Sequence, residues 1–313
     1  MSADAPFTFV KCRYWYDSFL DFWRMVEVND FPWCYVDQID VGTETTYLIP
    51  TINGEFRPHI DNHRNERKNC SLVWWNLERQ DHADLGDLDN YLDAVWVSCH
   101  TYYEILKPNG KTLFVPMGSD ARIGTNADDL PKRYDFIHLS YLTHRRSCVI
   151  DHLPLSQPDR GQDLWDDEEI QQRRDDNAWT GSVLDTNGAR RPESCGRRHE
   201  ALCSSRFMLS IRQDELPMQE PIRIAIAAAY ALPFVSEHVP DPWPLVPRTH
   251  YFDLPYAEIT TQFPQIARYT DSREIGYNLW ELYTQKMPFA KNVQQGWERL
   301  KAAQAEGRCR LQW

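Results

Sequence analysis

Apolar residues arrive along the first third of the chain in short runs, and polar or helical segments separate them. Phe7 to Cys12 (FTFVKC) is a β-rich run. Asp17 to Glu27 follows it, where Phe19, Phe22, Trp23 and Val26 recur at i, i+3, i+4 and i+7, the spacing of an amphipathic helix. Further strands are expected at Thr46 to Pro50, Ser71 to Asn76 (SLVWWN), Ala94 to Ser98 (AVWVS) and Thr112 to Val115 (TLFV). Several of these runs are apolar without alternation, as in strands covered on both faces. That pattern predicts a parallel sheet flanked by helices, an α/β fold.

A polar stretch, Ala121 to Arg133, is a candidate linker, and a second α/β series begins after it. Tyr134 to Leu139 is expected as a strand, Arg145 to Leu153 as a helix, Phe207 to Ile211 as a strand, Pro221 to Tyr230 as a helix and Phe234 to Glu237 as a strand. Between them lies Ser156 to Glu200, a charged insertion that includes WDDEEIQQRRDD and has little apolar residue of its own. Ser272 to Gln285 and Asn292 to Ala303 are helical, anchored by Trp280, Tyr283, Met287 and Trp297. They either form a terminal helix pair or cross back onto the first domain.

Length supports two domains: 313 residues is about twice the prior of roughly 150 per domain. No run reaches the roughly 18 to 20 apolar residues of a membrane span. The start (MSADAPFTFVKC) has neither the basic nor the apolar region of a signal peptide, so a soluble, cytoplasmic protein without a membrane span is expected. The eight cysteines are scattered singly, with no CxxC pair, which signals neither a disulfide framework nor a zinc site. A formal charge of -12 argues against a protein that coats nucleic acid.

Three segments, in order, resemble GT-B glycosyltransferases. Val95 to Ile123 resembles the strand, helix and strand that close the first domain, ending in Pro116, Gly118 and Asp120 before the linker. Tyr134 to Leu153 (YDFIHLSYLTHRRSCVIDHL) resembles the opening of the nucleotide-sugar domain, especially in the spore-maturation-protein-like, family 4-like branch, where two arginines follow the turn. Ser204 to Glu237 resembles the donor-binding strand, loop, helix and strand of that branch. The resemblance implies two Rossmann-like domains facing across a cleft. An acceptor-binding domain would span 1–120, a nucleotide-sugar-binding domain 121–270, and C-terminal helices 271–313. It also implies transfer of a sugar from a nucleoside-diphosphate donor to an acceptor hydroxyl, with no cofactor and no bound metal.

The chemistry needs cationic groups for a departing diphosphate, and helix N-termini and arginine forks provide them. Ser140, Thr143, His144, Arg145, Arg146 and Arg223 are therefore the candidate donor and diphosphate ligands, and Glu220, just ahead of a helix, is the candidate ribose ligand. The usual ribose glutamate of the fold is replaced by Ile226. In the first domain Glu78 and Arg79 follow SLVWWN at the carboxyl end of a strand, where open α/β sheets place ligands. They are the candidates for the acceptor and reaction side. His59 and His63 stand at i, i+4 without an evident third metal ligand. Asp87-Leu-Asp89 matches the metal-binding Asp-x-Asp of single-domain GT-A enzymes but precedes its strand instead of ending one. The acceptor is left open as a glycan, small molecule, protein or modified DNA. The alternatives are a phage-type enzyme that glycosylates hydroxymethylated DNA bases, for which the locally basic His59 to Lys68 speaks, and a nucleotide- or sugar-binding module without transfer.

Overall fold

The computed structural model describes residues 6–12, 19–50, 56, 70–77, 92–124, 132, 134–139, 143–150, 152–153, 192–216, 218–269 and 271–307. The chain divides into two compact units. One comprises Met1–Gly118, Glu220–Ile222 and Met287–Trp313; the other comprises Ser119–Gln219 and Arg223–Lys286. Residues 273–286 thus belong to the second unit and 287–313 to the first, although all of them follow the expected boundary at 270.

In the first unit, six strands form a wholly parallel sheet in the order β2-β1-β3-β4-β5-β6. They are β1 (Phe7–Lys11), β2 (Trp33–Tyr35), β3 (Thr46–Ile49), β4 (Ser71–Asn76), β5 (Ala94–Val97) and β6 (Thr112–Phe114). Every residue of β3, β4 and β5 is buried, which explains the unbroken apolar runs of the central strands. The strand order turns back between β1 and β3, the switch point at which such sheets bind ligands outside their carboxyl ends.

Helix α1 (Leu20–Val28) buries Phe22, Trp23, Met25 and Val26, and α2 (His100–Leu106) buries Tyr102 and Leu106. The Trp75 indole N–H, deep in β4, donates to Ser98 Oγ at 2.8 Å, and that hydroxyl donates to Val115 O at 2.7 Å. A buried polar pair is thereby satisfied without water.

The second unit carries a parallel sheet of four strands in the order β10-β9-β8-β7. These are β7 (Tyr134–Ile137), β8 (Ser205–Ser210), β9 (Phe234–Glu237) and β10 (Tyr251–Leu254). Its helices are α3 (His144–Ile150), α4 (Pro192–Cys203), α5 (Pro221–Ala229), α6 (Ile259–Tyr269) and α7 (Arg273–Trp280), the last continued by one π-helical stretch, Glu281–Lys286. One face of the sheet is apolar: Phe136, Phe207, Leu209, Val235, Phe252 and Leu254 pack on Val149 and Ile150 of α3 and on Ile259, Phe263 and Ile266 of α6. Period-two alternation sends Ser210 and Ser236 to the other face, where Arg223 of α5 reaches Ser210.

Helix α8 (Phe289–Ala305) lies on the first sheet. The Phe289 ring sits 5.6 to 6.4 Å from those of Phe9, Phe22, Phe31 and Trp75, and Trp297 meets Phe7 at 5.6 Å. Two glycines make this approach possible. A Cβ on Gly296 would stand 2.9 Å from Val115 Cγ1; one on Gly118, whose φ is +68°, would stand 2.1 Å from Met287 O. Among the described residues no helix is long and apolar enough to cross a membrane.

Candidate functional site

The carboxyl ends of β7, β8 and β9 lie side by side, and each delivers a polar or charged residue. His138 follows β7, Arg212 stands two residues beyond β8, and Glu237 is the last residue of β9. Glu237 is fully buried, at 0% side-chain exposure, so its charge requires partners. Arg145, in the first turn of α3, donates Nη1 to Oε2 at 2.6 Å and Nη2 to Oε1 at 2.5 Å, a two-point fork. Arg212 gives the same carboxylate its backbone N–H at 2.9 Å and its Nη2 at 3.0 Å. Burial alone would raise the Glu237 carboxyl, but the hydrogen bonds from Arg145 and Arg212 outweigh it and hold the pKa below its ordinary value.

Arg145 is held at both Nη atoms and on one face. Its Nη1 also donates to Arg212 O at 3.1 Å, and its guanidinium carbon lies 3.8 Å over the Tyr256 ring. The Tyr256 hydroxyl donates to Arg145 O at 2.7 Å. Its bond to Glu237 raises the Arg145 pKa, keeping the cation charged. Arg212 is different: its Nε and Nη1 are buried without any hydrogen-bond acceptor. Donors left so, on a charged group, are costly and call for an acceptor.

Two further arginines complete the cluster. Arg146 is 1% exposed and donates Nε to Ile211 O at 2.8 Å. Arg223, in the first turn of α5, donates Nε to Leu139 O at 2.8 Å and Nη1 to Ser210 Oγ at 3.4 Å. Between them His138, fully buried, sets Nδ1 2.8 Å from Leu209 O. A carbonyl only accepts, so that nitrogen carries the proton. Burial, then Arg223 and Arg146, push the His138 pKa well below its ordinary value, and the ring is neutral.

On the α5 face the strand register sets Ser236 opposite Ser210 and Asp253 opposite Ser236. His238 Nδ1 closes this polar row 2.7 Å from Asp253 Oδ2, with the Tyr251 hydroxyl donating to Oδ1 at 3.3 Å.

Of the residues singled out in the sequence, Arg145, Arg146 and Arg223 meet at this edge. Thr143 Oγ1 accepts from Arg146 N at 3.4 Å. His144 is exposed, with Nε2 3.6 Å from Cys148 Sγ. Glu220 is half-buried, one residue ahead of α5, and groups with the first unit. Ser140, Glu78 and Arg79 lie outside the described residues, as do His59, His63, Asp87 and Asp89. Among the described residues no three His, Cys, Asp or Glu side chains are placed to hold a metal ion. Sequence reasoning passed over Arg212, Glu237, Tyr256 and His138. The signal for the first was its place just past a strand's carboxyl end, and for the second a carboxylate closing an apolar strand.

No protein-family model and no curated protein matches the chain. Solved structures do. Anabaena HepE in complex with UDP and glucose superposes with a TM-score of 0.60 at 11% identity, over 95% of this chain and 99% of that one. S. aureus TarM, solved with Fondaparinux, α-GlcNAc-glycerol and UDP, gives 0.52 at 11% identity over 84% of this chain, which spans 56% of TarM. These likenesses establish the fold: two Rossmann-like units of the GT-B glycosyltransferase type.

Proposed function

We propose that the chain is a glycosyltransferase that moves a sugar from a nucleoside diphosphate to an acceptor hydroxyl, with the diphosphate seated at the carboxyl edge of the second sheet. One observation carries it: four arginines gather at this edge around one fully buried carboxylate that pairs with two of them, Arg145 and Arg212, and Arg212 keeps buried N–H groups without an acceptor. Such a surplus of fixed positive charge stabilises the charge that grows on a departing diphosphate. HepE and TarM, which share the fold, were both solved with UDP.

In this reading the arginines supply the neutralising charge, no metal is needed, and the enzyme is cytoplasmic. Ser210, Ser236, Asp253 and His238 offer hydrogen-bond partners to the donor's hydroxyls, and Glu220 remains the candidate ribose ligand. Glu78 and Arg79 serve the acceptor side, and the spore-maturation-like branch is the subgroup the arginine pair of α3 resembles. A donor-binding module without transfer is the second reading, favoured by Ile226. It occupies the usual ribose-glutamate position and is 1% exposed, inside the core.

The test is a panel of nucleoside diphosphates and their sugars. At about 100 times its dissociation constant a ligand of the native state adds roughly 2.7 kcal/mol of stability, readily seen as a thermal shift. The sugar nucleotide that stabilises the chain is then assayed for release of its diphosphate. Binding with turnover supports the enzyme, binding without turnover on any acceptor supports the module, and no binding to the folded chain removes both.

A further inference from the structure

Resting on that reading, we propose that Arg212 is the residue that touches the diphosphate, and that Arg145 is a positioning residue that acts through it. Arg145 already spends both Nη atoms on Glu237 and on Arg212 O, and its face lies on Tyr256. It has little left to offer a ligand. Arg212 spends Nη2 on Glu237 and retains Nε and Nη1, three N–H bonds in all, buried and unanswered.

Glu237 links the two. Oε1 accepts from Nη2 of both arginines, and Oε2 accepts from Arg145 Nη1 and from the Arg212 backbone. Arg145 also grips the Arg212 carbonyl. The pair fixes both the main chain and the head group of Arg212, so its remaining donors are held in place before any ligand arrives. Preorganised donors of this kind need little rearrangement when charge develops. The acceptor they require is a hard anion with several oxygens. A nucleoside diphosphate and free pyrophosphate share that chemistry.

Calorimetric titration of the full chain with UDP, GDP and dTDP, each against its monophosphate, and with pyrophosphate tests the assignment. The variants are Arg212→Ala, Arg212→Lys, Arg145→Gln and the Arg212→Ala/Arg145→Gln pair, with circular dichroism melts confirming that each is folded. Arg212→Ala is expected to weaken the preferred diphosphate about 10- to 100-fold and to erase its advantage over the monophosphate. Arg212→Lys should restore part of the loss, since an ammonium keeps the charge but not the fork, and it serves if the alanine variant fails to fold.

The decisive arm is the cycle: Arg145→Gln should weaken binding in the parent and change nothing further in the Arg212→Ala background. Full additivity would show that Arg145 meets the phosphate itself and would overturn the assignment, as would unchanged binding by Arg212→Ala. Pyrophosphate weakened by the same factor would support it, whichever molecule carries the anion in use. A parent that binds no diphosphate overturns the assignment together with the donor site.

Discussion

Glu237→Gln removes the negative charge of the cluster while keeping its size. The parent carboxylate is 0% exposed and accepts four hydrogen bonds between 2.5 and 3.0 Å from Arg145 and Arg212. The glutamine amide accepts on one side only and sets an NH₂ against guanidinium donors on the other. Breaking one partner of a buried pair costs about 3 to 5 kcal/mol, because the remaining charge stays buried without compensation. For a unit of this size about 2 to 4 °C is lost per kcal/mol, so the second unit's melting transition should fall by roughly 6 to 20 °C in scanning calorimetry.

The same variant releases the head group of Arg212 from its fixed position, so pyrophosphate should stabilise Glu237→Gln less than it stabilises the parent. A loss below about 1 kcal/mol, the worth of an exposed pair, with no differential response to pyrophosphate would refute the view that Glu237 organises the site. Acid should reproduce the effect in the parent. The native Glu237 carboxyl titrates below its ordinary value of 4.5, so its contribution is complete above about that pH and is lost as pH falls through the lower native value.

His138 adds a second, earlier acid window. Its native pKa lies well below the ordinary 6.5, so below 6.5 the unfolded chain binds one more proton than the native one. Stability should then fall by about 1.4 kcal/mol per pH unit until the native value is reached. His138→Asn keeps a donor for Leu209 O and should flatten that slope in urea melts taken between pH 6.5 and 5; an unchanged slope would assign it to another group. Gly118→Ala should destabilise the first unit by more than about 2 kcal/mol, since its Cβ would meet Met287 O at 2.1 Å in a backbone region that disfavours side chains; chemical denaturation followed by tryptophan fluorescence would register it. Phe289→Ala, which vacates a fully buried site among four aromatic rings, should cost about 3 to 5 kcal/mol. A small loss in the same melts would mean that α8 contributes little to the first core.

The sheet of the first unit was legible because its central strands are buried on both faces. SLVWWN and AVWV have no polar break, and β4 and β5 fall where those runs do. What escaped was short or mixed. β2 has three residues, none of them buried, directly after Pro32 at the edge of the sheet. β10 breaks its apolar run with Asp253, an aspartate that makes sense only beside His238, fifteen residues earlier. α6 contains Pro264, which reads as a stop, yet the helix runs through it from Ile259 to Tyr269 because Phe263, Ile266 and Ala267 are buried in the second core.

The site was legible in its chemistry more than in its wiring. Arg145 and Arg146 are a cationic pair at a helix start, and sequence alone gives both one role. Adjacent helical residues diverge by about 100° around the axis, so they cannot share a task. Arg146 turns into the core at 1% exposure, and Arg145 turns aside to Tyr256 and to Glu237, 92 positions away. That distance hides the partner. The need for one is visible all the same: a carboxylate that ends the apolar strand FVSE must find cations, and it takes them from whichever strand-end loops lie beside β9. β8 is the neighbour between β9 and β7, so its first charged residue past the carboxyl end, Arg212, is drawn to the carboxylate along with the helix arginine. Where two guanidiniums compete for one carboxylate, the one bound by both arms becomes scaffold. The one bound by a single arm keeps donors for a ligand, and by that criterion the ligand arginine is the one from the loop.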